Sequence, residues 1–138
     1  MEIDIKIGVM NEAVVVVTEQ NTALAMGSGT LPVYATPAMG ALMEKAAAEM
    51  TEAALPEGWT SVGIRMDIQH TAATPIGIKV RAEATLTAIE GRKLIFRVMA
   101  FDEKEEVGSG LHERFVVQKE KFLDKALAKK QEKYFCRL

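Results

Sequence analysis

The chain is short of the residues that build disulfides, metal centres and nucleic-acid surfaces. It holds one cysteine, Cys136, third from the end. A single thiol closes no internal disulfide and no cysteine metal cluster, which suits a reducing compartment and predicts a cytoplasmic protein. The two histidines stand among scattered acids without metal-ligand spacing, so neither a metal nor another cofactor is expected. The net charge is only −2 and no basic run occurs, which argues against nucleic acid as a partner. No apolar run reaches membrane-spanning length. The opening Met1-Glu2-Ile3-Asp4 lacks the basic end and apolar block of a signal peptide, so no membrane association is expected. Internal repeats and low-complexity tracts are also missing.

What is present is enough apolar material for one core. Hydrophobic residues make up 49% of 138, which fits a single domain over residues 1–138. Its organising stretch runs from Tyr34 to about Leu55 and reads as one helix of roughly five turns. Thr36 is placed where an N-cap belongs and Pro37 where the first helical residue belongs. Pro56 and Gly58 stop the helix. Wound at about 100° per residue, Met39, Leu42, Met43, Ala46, Met50 and Ala53 fall on one side. Lys45, Glu49 and Glu52 make a narrow charged stripe. Glu44 lands apart from that stripe, among Gly40, Ala41, Ala47, Ala48 and Thr51. A strip of small side chains predicts a covered surface, and a carboxylate under cover has to be hydrogen-bonded, paired or protonated.

Around this helix the pattern is of period two. Residues 2–8 alternate and predict a short strand, broken at Asn11-Glu12; Ala13–Thr18 is a β-branched run and predicts another. Residues 19–33, with Asn21, Gly27, Ser28, Gly29 and Pro32, read as a loop just before the helix, either a lid or a plain surface connection. Ser61–Thr74 alternates so that Val62, Ile64, Met66, Ile68 and His70 share the apolar face. Strands over 78–87, 93–101 and 107–118 follow at hairpin spacing, joined by the turns Glu90-Gly91-Arg92 and 102–106. Residues 119–135 predict an amphipathic terminal helix. Strands joined by tight turns make an antiparallel sheet, and a helix apolar on most of its circumference needs that sheet to curl around it. The expected class is α+β, with a curved antiparallel sheet of about five to six strands wrapped around one long helix.

Alone, each polar candidate has a plain structural reading. Thr36 is a helix cap, although a helix start also offers free N–H groups and partial positive charge. Glu44 reads as a paired structural acid or, because it stands away from the charged stripe, somewhat better as a functional one. His70, on an apolar face, is a satisfied core histidine. His112 is structural support or substrate-side polarity. Arg114 holds a carboxylate or a phosphate, and the fork of a guanidinium suits the first.

The layout resembles the hotdog fold. Ala35-Thr36-Pro37-Ala38-Met39-Gly40-Ala41-Leu42-Met43-Glu44 resembles the helix start of the fluoroacetyl-CoA thioesterase-like family, and His70-Thr71-Ala72-Ala73-Thr74-Pro75 resembles its histidine strand. Glu90-Gly91-Arg92 and Gly108-Ser109-Gly110-Leu111-His112-Glu113-Arg114 match as well, and the spacings fit without insertion from about Lys6 to about Leu123. The resemblance implies hydrolysis of a short acyl-CoA thioester by Thr36, Glu44 and His70. Gly63 would lie beside the acyl group and Arg114 would support the site. It further implies a homodimer with each site at the subunit boundary, open to pairing into a dimer of dimers. The phenylalanines that gate the fluoroacetyl-specific member are replaced here by Met26-Gly27-Ser28-Gly29-Thr30-Leu31, which predicts a different acyl preference. Rival readings on the same fold are a non-catalytic acyl-CoA binding module, a hydratase or dehydratase, and a purely structural dimer. Hydratase chemistry puts a histidine and an acid near the helix, and this helix carries no histidine.

Overall fold

The computed structural model describes residues 1–131. Five strands form one sheet in the order β1-β3-β4-β5-β2, every neighbouring pair antiparallel: β1 Met10–Val16, β2 Trp59–His70, β3 Lys79–Glu90, β4 Lys93–Phe101 and β5 Glu106–Gln118. The helix α2, Thr36–Ala53, follows a one-turn helix α1, Ala23–Met26, and packs against β1, β2, β3 and β4.

The helix buries the face predicted for it. Met39, Leu42, Met43, Ala46 and Met50 join Val80, Leu86, Leu94, Phe96 and Val98 in the core, while Ala53 is exposed. Each large side chain so buried contributes about 1.5–3 kcal/mol. Lys45, Glu49 and Glu52 are exposed, as the charged stripe required. Close approach of sheet and helix depends on missing side chains. A Cβ at Gly108 would overlap the end of the Met39 side chain. At Gly40 the nearest heavy atom of the sheet would be 3.5 Å away, on Ile68.

Four local expectations are corrected. Residues 2–8 form no strand. Ile3 and Ile5 do turn toward the core, but the segment crosses the end of α2, where the Asp4 N–H donates to the Ala54 carbonyl, and finds no strand to pair with. β1 therefore starts at Met10, and Asn11 lies inside it, its amide donating to the Ala46 carbonyl of α2 at 3.0 Å. The N-cap is Ala35, not Thr36. Thr36 is the first helical residue, and its hydroxyl is taken by another partner. Lastly, β2 does not alternate evenly. Its register against β5 shifts between Gly63 and Arg65, so one extra residue reverses the faces. Ser61 and Gly63 turn inward before the shift; Met66, Ile68 and His70 turn inward after it. Ile64 is left 51% exposed.

The loop over 19–33 has internal order. A 3-10 turn covers Glu19–Asn21, and the Thr22 hydroxyl caps α1 by accepting from the Ala25 N–H. The Ala23 N–H donates to the Val33 carbonyl and the Ala35 N–H to the Asn21 carbonyl, so the excursion is tied at its base while residues 26–32 are exposed. The terminal helix is α3, Lys119–Leu127, followed by a 3-10 turn over Ala128–Lys130. The rest of the expected helix, with Tyr134 and Phe135, and Cys136 lie outside the described residues.

Candidate active site

Two polar groups sit along α2, about two turns apart. The first lies at its N-terminus. The Thr36 Oγ1 and His70 Nδ1 are 2.8 Å apart, joining the start of the helix to the end of β2. Among the described residues, the N–H groups of Thr36 and Ala38 have no backbone or side-chain acceptor, as expected for a first helical turn. The Tyr34 ring meets His70 edge-on with centroids 6.4 Å apart, and its hydroxyl donates to the Ala38 carbonyl. Burial pushes that phenol up to about 12, so it stays protonated. The pair opens into a cavity of about 280 Å³ walled by Ala23 and Ser28 from the loop and by Thr71, Ala72 and Ala73 after β2. A larger open groove between the N-terminal segment and the end of α2 holds neither group.

The second group surrounds Glu44. Its Oε2 lies 3.7 Å from Arg114 Nη1 and 4.0 Å from His112 Nε2. Gly63 faces the same point from β2, and any side chain there would overlap the Glu44 carboxylate. Arg114 is held by Ser61, its Nε donating to the hydroxyl at 2.8 Å and its Nη2 to the carbonyl at 3.0 Å. The cover expected over Glu44 is incomplete: its side chain is 44% exposed, with Gly40, Ala47 and Thr51 buried beside it but Ala41 open. The small residues let the sheet approach at Gly40, and the carboxylate stands at the rim of that contact.

The structure thus brings Thr36 to His70, and Glu44 to Gly63 and Arg114, but does not bring the two sets together in one chain. Thr36 and Glu44 are separated along the helix by about 12 Å. Ser61 escaped the sequence reading because the shift in β2 hides its inward turn. The one signal for it was Gly63, a weak strand residue at the place where the alternation breaks.

Burial lowers the proton affinity of both histidines below the usual value of 6.5. For His112 the Arg114 charge works in the same direction, against a bond to the Arg65 carbonyl and the nearby acids. The consequence for stability has a definite sign. Near and below pH 6.5 the unfolded chain binds protons that the folded chain refuses. This contribution is therefore full above 6.5 and lost as pH falls through the depressed folded values. Thermal unfolding should show Tm declining as pH drops from about 7 toward 5, with a shallower decline in His112→Gln. A Tm that rises over that interval would contradict the burial of both rings.

Comparison with known proteins gives the family of the chain. The family model for the fluoroacetyl-CoA-specific thioesterase matches residues 17–120, which include Thr36, Glu44, Gly63, His70 and Arg114. The chain belongs to the fluoroacetyl-CoA-specific thioesterase family. The fluoroacetyl-CoA thioesterase of Streptantibioticus cattleyicolor is 46% identical over 90 residues; the matched stretch covers 65% of this chain and 65% of that relative, just under two thirds of its length. A solved structure of the fluoroacetyl-CoA thioesterase FlK superposes with a TM-score of 0.86 at 37% identity, covering 91% of this chain and 97% of the other. A thioesterase superfamily member from Thermus thermophilus gives 0.84 at 30% identity, over 93% and 96%. Membership in the family bears out the curled sheet and long helix of the hotdog fold expected from the sequence.

Proposed function

We propose that this family member hydrolyses short acyl-CoA thioesters to the free acid and CoA, with Thr36, Glu44 and His70 as catalytic residues and Gly63 and Arg114 lining the substrate site. The observation that carries the reading is the 2.8 Å contact of Thr36 with His70 at a free helix start, beside a cavity of acyl size. The reading includes a homodimer. A second copy that lays its Glu44 opposite the Thr36–His70 pair supplies the group that one chain holds too far away. Free CoA thioesters and a lone cysteine both fit a cytoplasmic setting.

Roles follow from the donors and acceptors. His70 Nε2 is buried within its own chain and has no hydrogen-bond partner among the described residues. A buried acceptor without a partner is tolerated more readily than a buried N–H without one, so the proton resides on Nδ1 and donates to Thr36 Oγ1. The Thr36 hydroxyl is then free to donate its own proton to the thioester carbonyl oxygen, beside the N–H groups of the first helical turn, where negative charge develops. Glu44 from the second chain takes a proton from the attacking water. The C–O bond forms, the C–S bond breaks, and CoA leaves as the thiolate, which takes up that proton.

The test is release of free thiol from a panel of short acyl-CoAs. Binding of acyl-CoA with no thiol released would convert the protein to a binding module. The loop supplies the control of chain length. Gly27, with φ of 72°, caps α1 in a conformation that disfavours a side chain, so it is a poor site for an aromatic graft. Ser28 lines the cavity instead. Ser28→Phe should lower kcat/KM for butyryl-CoA relative to acetyl-CoA by roughly tenfold or more. An unchanged ratio would argue against gating by this loop.

A further inference from the structure

His112 is fully buried at the centre of β5, between Phe96 of β4 and Met66 of β2 in the ladder, and its ring stacks on Phe96. Its hydrogen bonds determine its tautomer. Nδ1 lies 2.8 Å from the Arg65 carbonyl, which can only accept, so Nδ1 carries the proton. Nε2 is left as an acceptor, and Arg114 Nη1 donates to it at 3.2 Å. With the two bonds to Ser61, three of the five guanidinium N–H groups are committed to neutral acceptors. Glu44 Oε2, the nearest carboxylate oxygen among the described residues, stays at 3.7 Å, outside hydrogen-bond range.

This is not where an unrestrained arginine would stop. A guanidinium beside a carboxylate gains most by closing a two-pronged fork on it. Such a fork would occupy the oxygens that Glu44 needs for chemistry. We infer that His112 is a positioning residue: as a neutral acceptor it holds Arg114 back from Glu44, so that the carboxylate is kept beside a positive charge but not locked to it. Ser61 anchors the other edge of the same guanidinium. Burial and the Arg114 charge both oppose protonation of His112, which keeps Nε2 an acceptor. The inference rests on the reading of Glu44 as a catalytic residue.

The experiment replaces His112 twice. His112→Phe keeps the bulk and the stacking on Phe96 but removes both polar atoms. His112→Gln restores a donor and an acceptor about as far apart as the two ring nitrogens. The phenylalanine variant should lose kcat on the order of 10- to 100-fold with KM little changed, and the glutamine variant should recover most of that loss. In a Glu44→Gln background, His112→Phe should cause little further loss, because the residue acts through Glu44. A general packing defect would instead lower both backgrounds alike and would not be rescued by glutamine, and either result overturns the inference. If His112→Phe does not fold, Ser61→Ala frees the opposite edge of Arg114 and should show the same loss of kcat; an unchanged kcat there is equally decisive against it. A crystal structure of the His112→Phe or Ser61→Ala protein separates this inference from the functional reading. Arg114 closed onto Glu44 supports the restraint even if no acyl-CoA is turned over, and Arg114 in its original place rejects it.

Discussion

Glu44→Gln should lower kcat/KM by about 10²- to 10⁴-fold, the range expected when a positioned general base is removed. The amide has the size and shape of the carboxylate but cannot take a proton from water. Its neighbours give no reason for the fold to suffer. The side chain is half-exposed, its contact with Arg114 is longer than a hydrogen bond, and Arg114 keeps Ser61 and His112 as acceptors. The effect on stability should therefore stay within about 1 kcal/mol, the usual reach of a partly solvated ion pair. Thiol release with a saturating acyl-CoA, read beside a thermal melt, checks both halves. A variant with nearly normal turnover would remove Glu44 from the chemistry and leave Thr36 and His70 as the working groups.

The same carboxylate shows what can and cannot be read from a sequence. That Glu44 differs from Lys45, Glu49 and Glu52 is legible, because helical periodicity puts it on a different strip, and those three are exposed as expected. That it meets Arg114 and His112 is not legible from the helix, since both belong to β5, some seventy residues later, and meet it only when the sheet curls. The pairing of Thr36 with His70 was carried by the family resemblance; neither local pattern points to the other. His70 does face inward, but its face was reached by an even alternation through Ile64 that the chain does not follow. The shift at Gly63 turns Ser61 inward and Ile64 outward, and a period-two reading has no means to register one inserted residue. The N-terminal segment shows the converse error. Ile3 and Ile5 alternate because both lean on the core, yet alternation does not supply a neighbouring strand. The cap of α2 was misplaced by one residue because a threonine before proline is a good cap only when its hydroxyl is free, and here His70 holds it.

Mixing two inactive variants should restore activity, and this result bears most directly on how the site is assembled. Thr36→Val removes the hydroxyl that contacts His70; Glu44→Gln removes the proposed base. In the proposed homodimer, each variant alone carries two defective sites. In a mixed dimer with sites shared across a two-fold interface, one site collects both substitutions. The other collects neither, because its Thr36 comes from the Glu44→Gln chain and its Glu44 from the Thr36→Val chain. Equal co-expression yields half mixed dimers, so total activity should return to about one quarter of the native value. Purification of the mixed dimer by two different tags should raise this to about one half. If all three groups acted within one chain, the mixture would show only the mean of its two parents, near zero. The separation of about 12 Å between Thr36 and Glu44 along one helix is why the first outcome is expected. A water reaches only about 3 Å to each hydrogen-bond partner, short of that separation, so delivery of Glu44 by the second subunit of the proposed homodimer is the expected route.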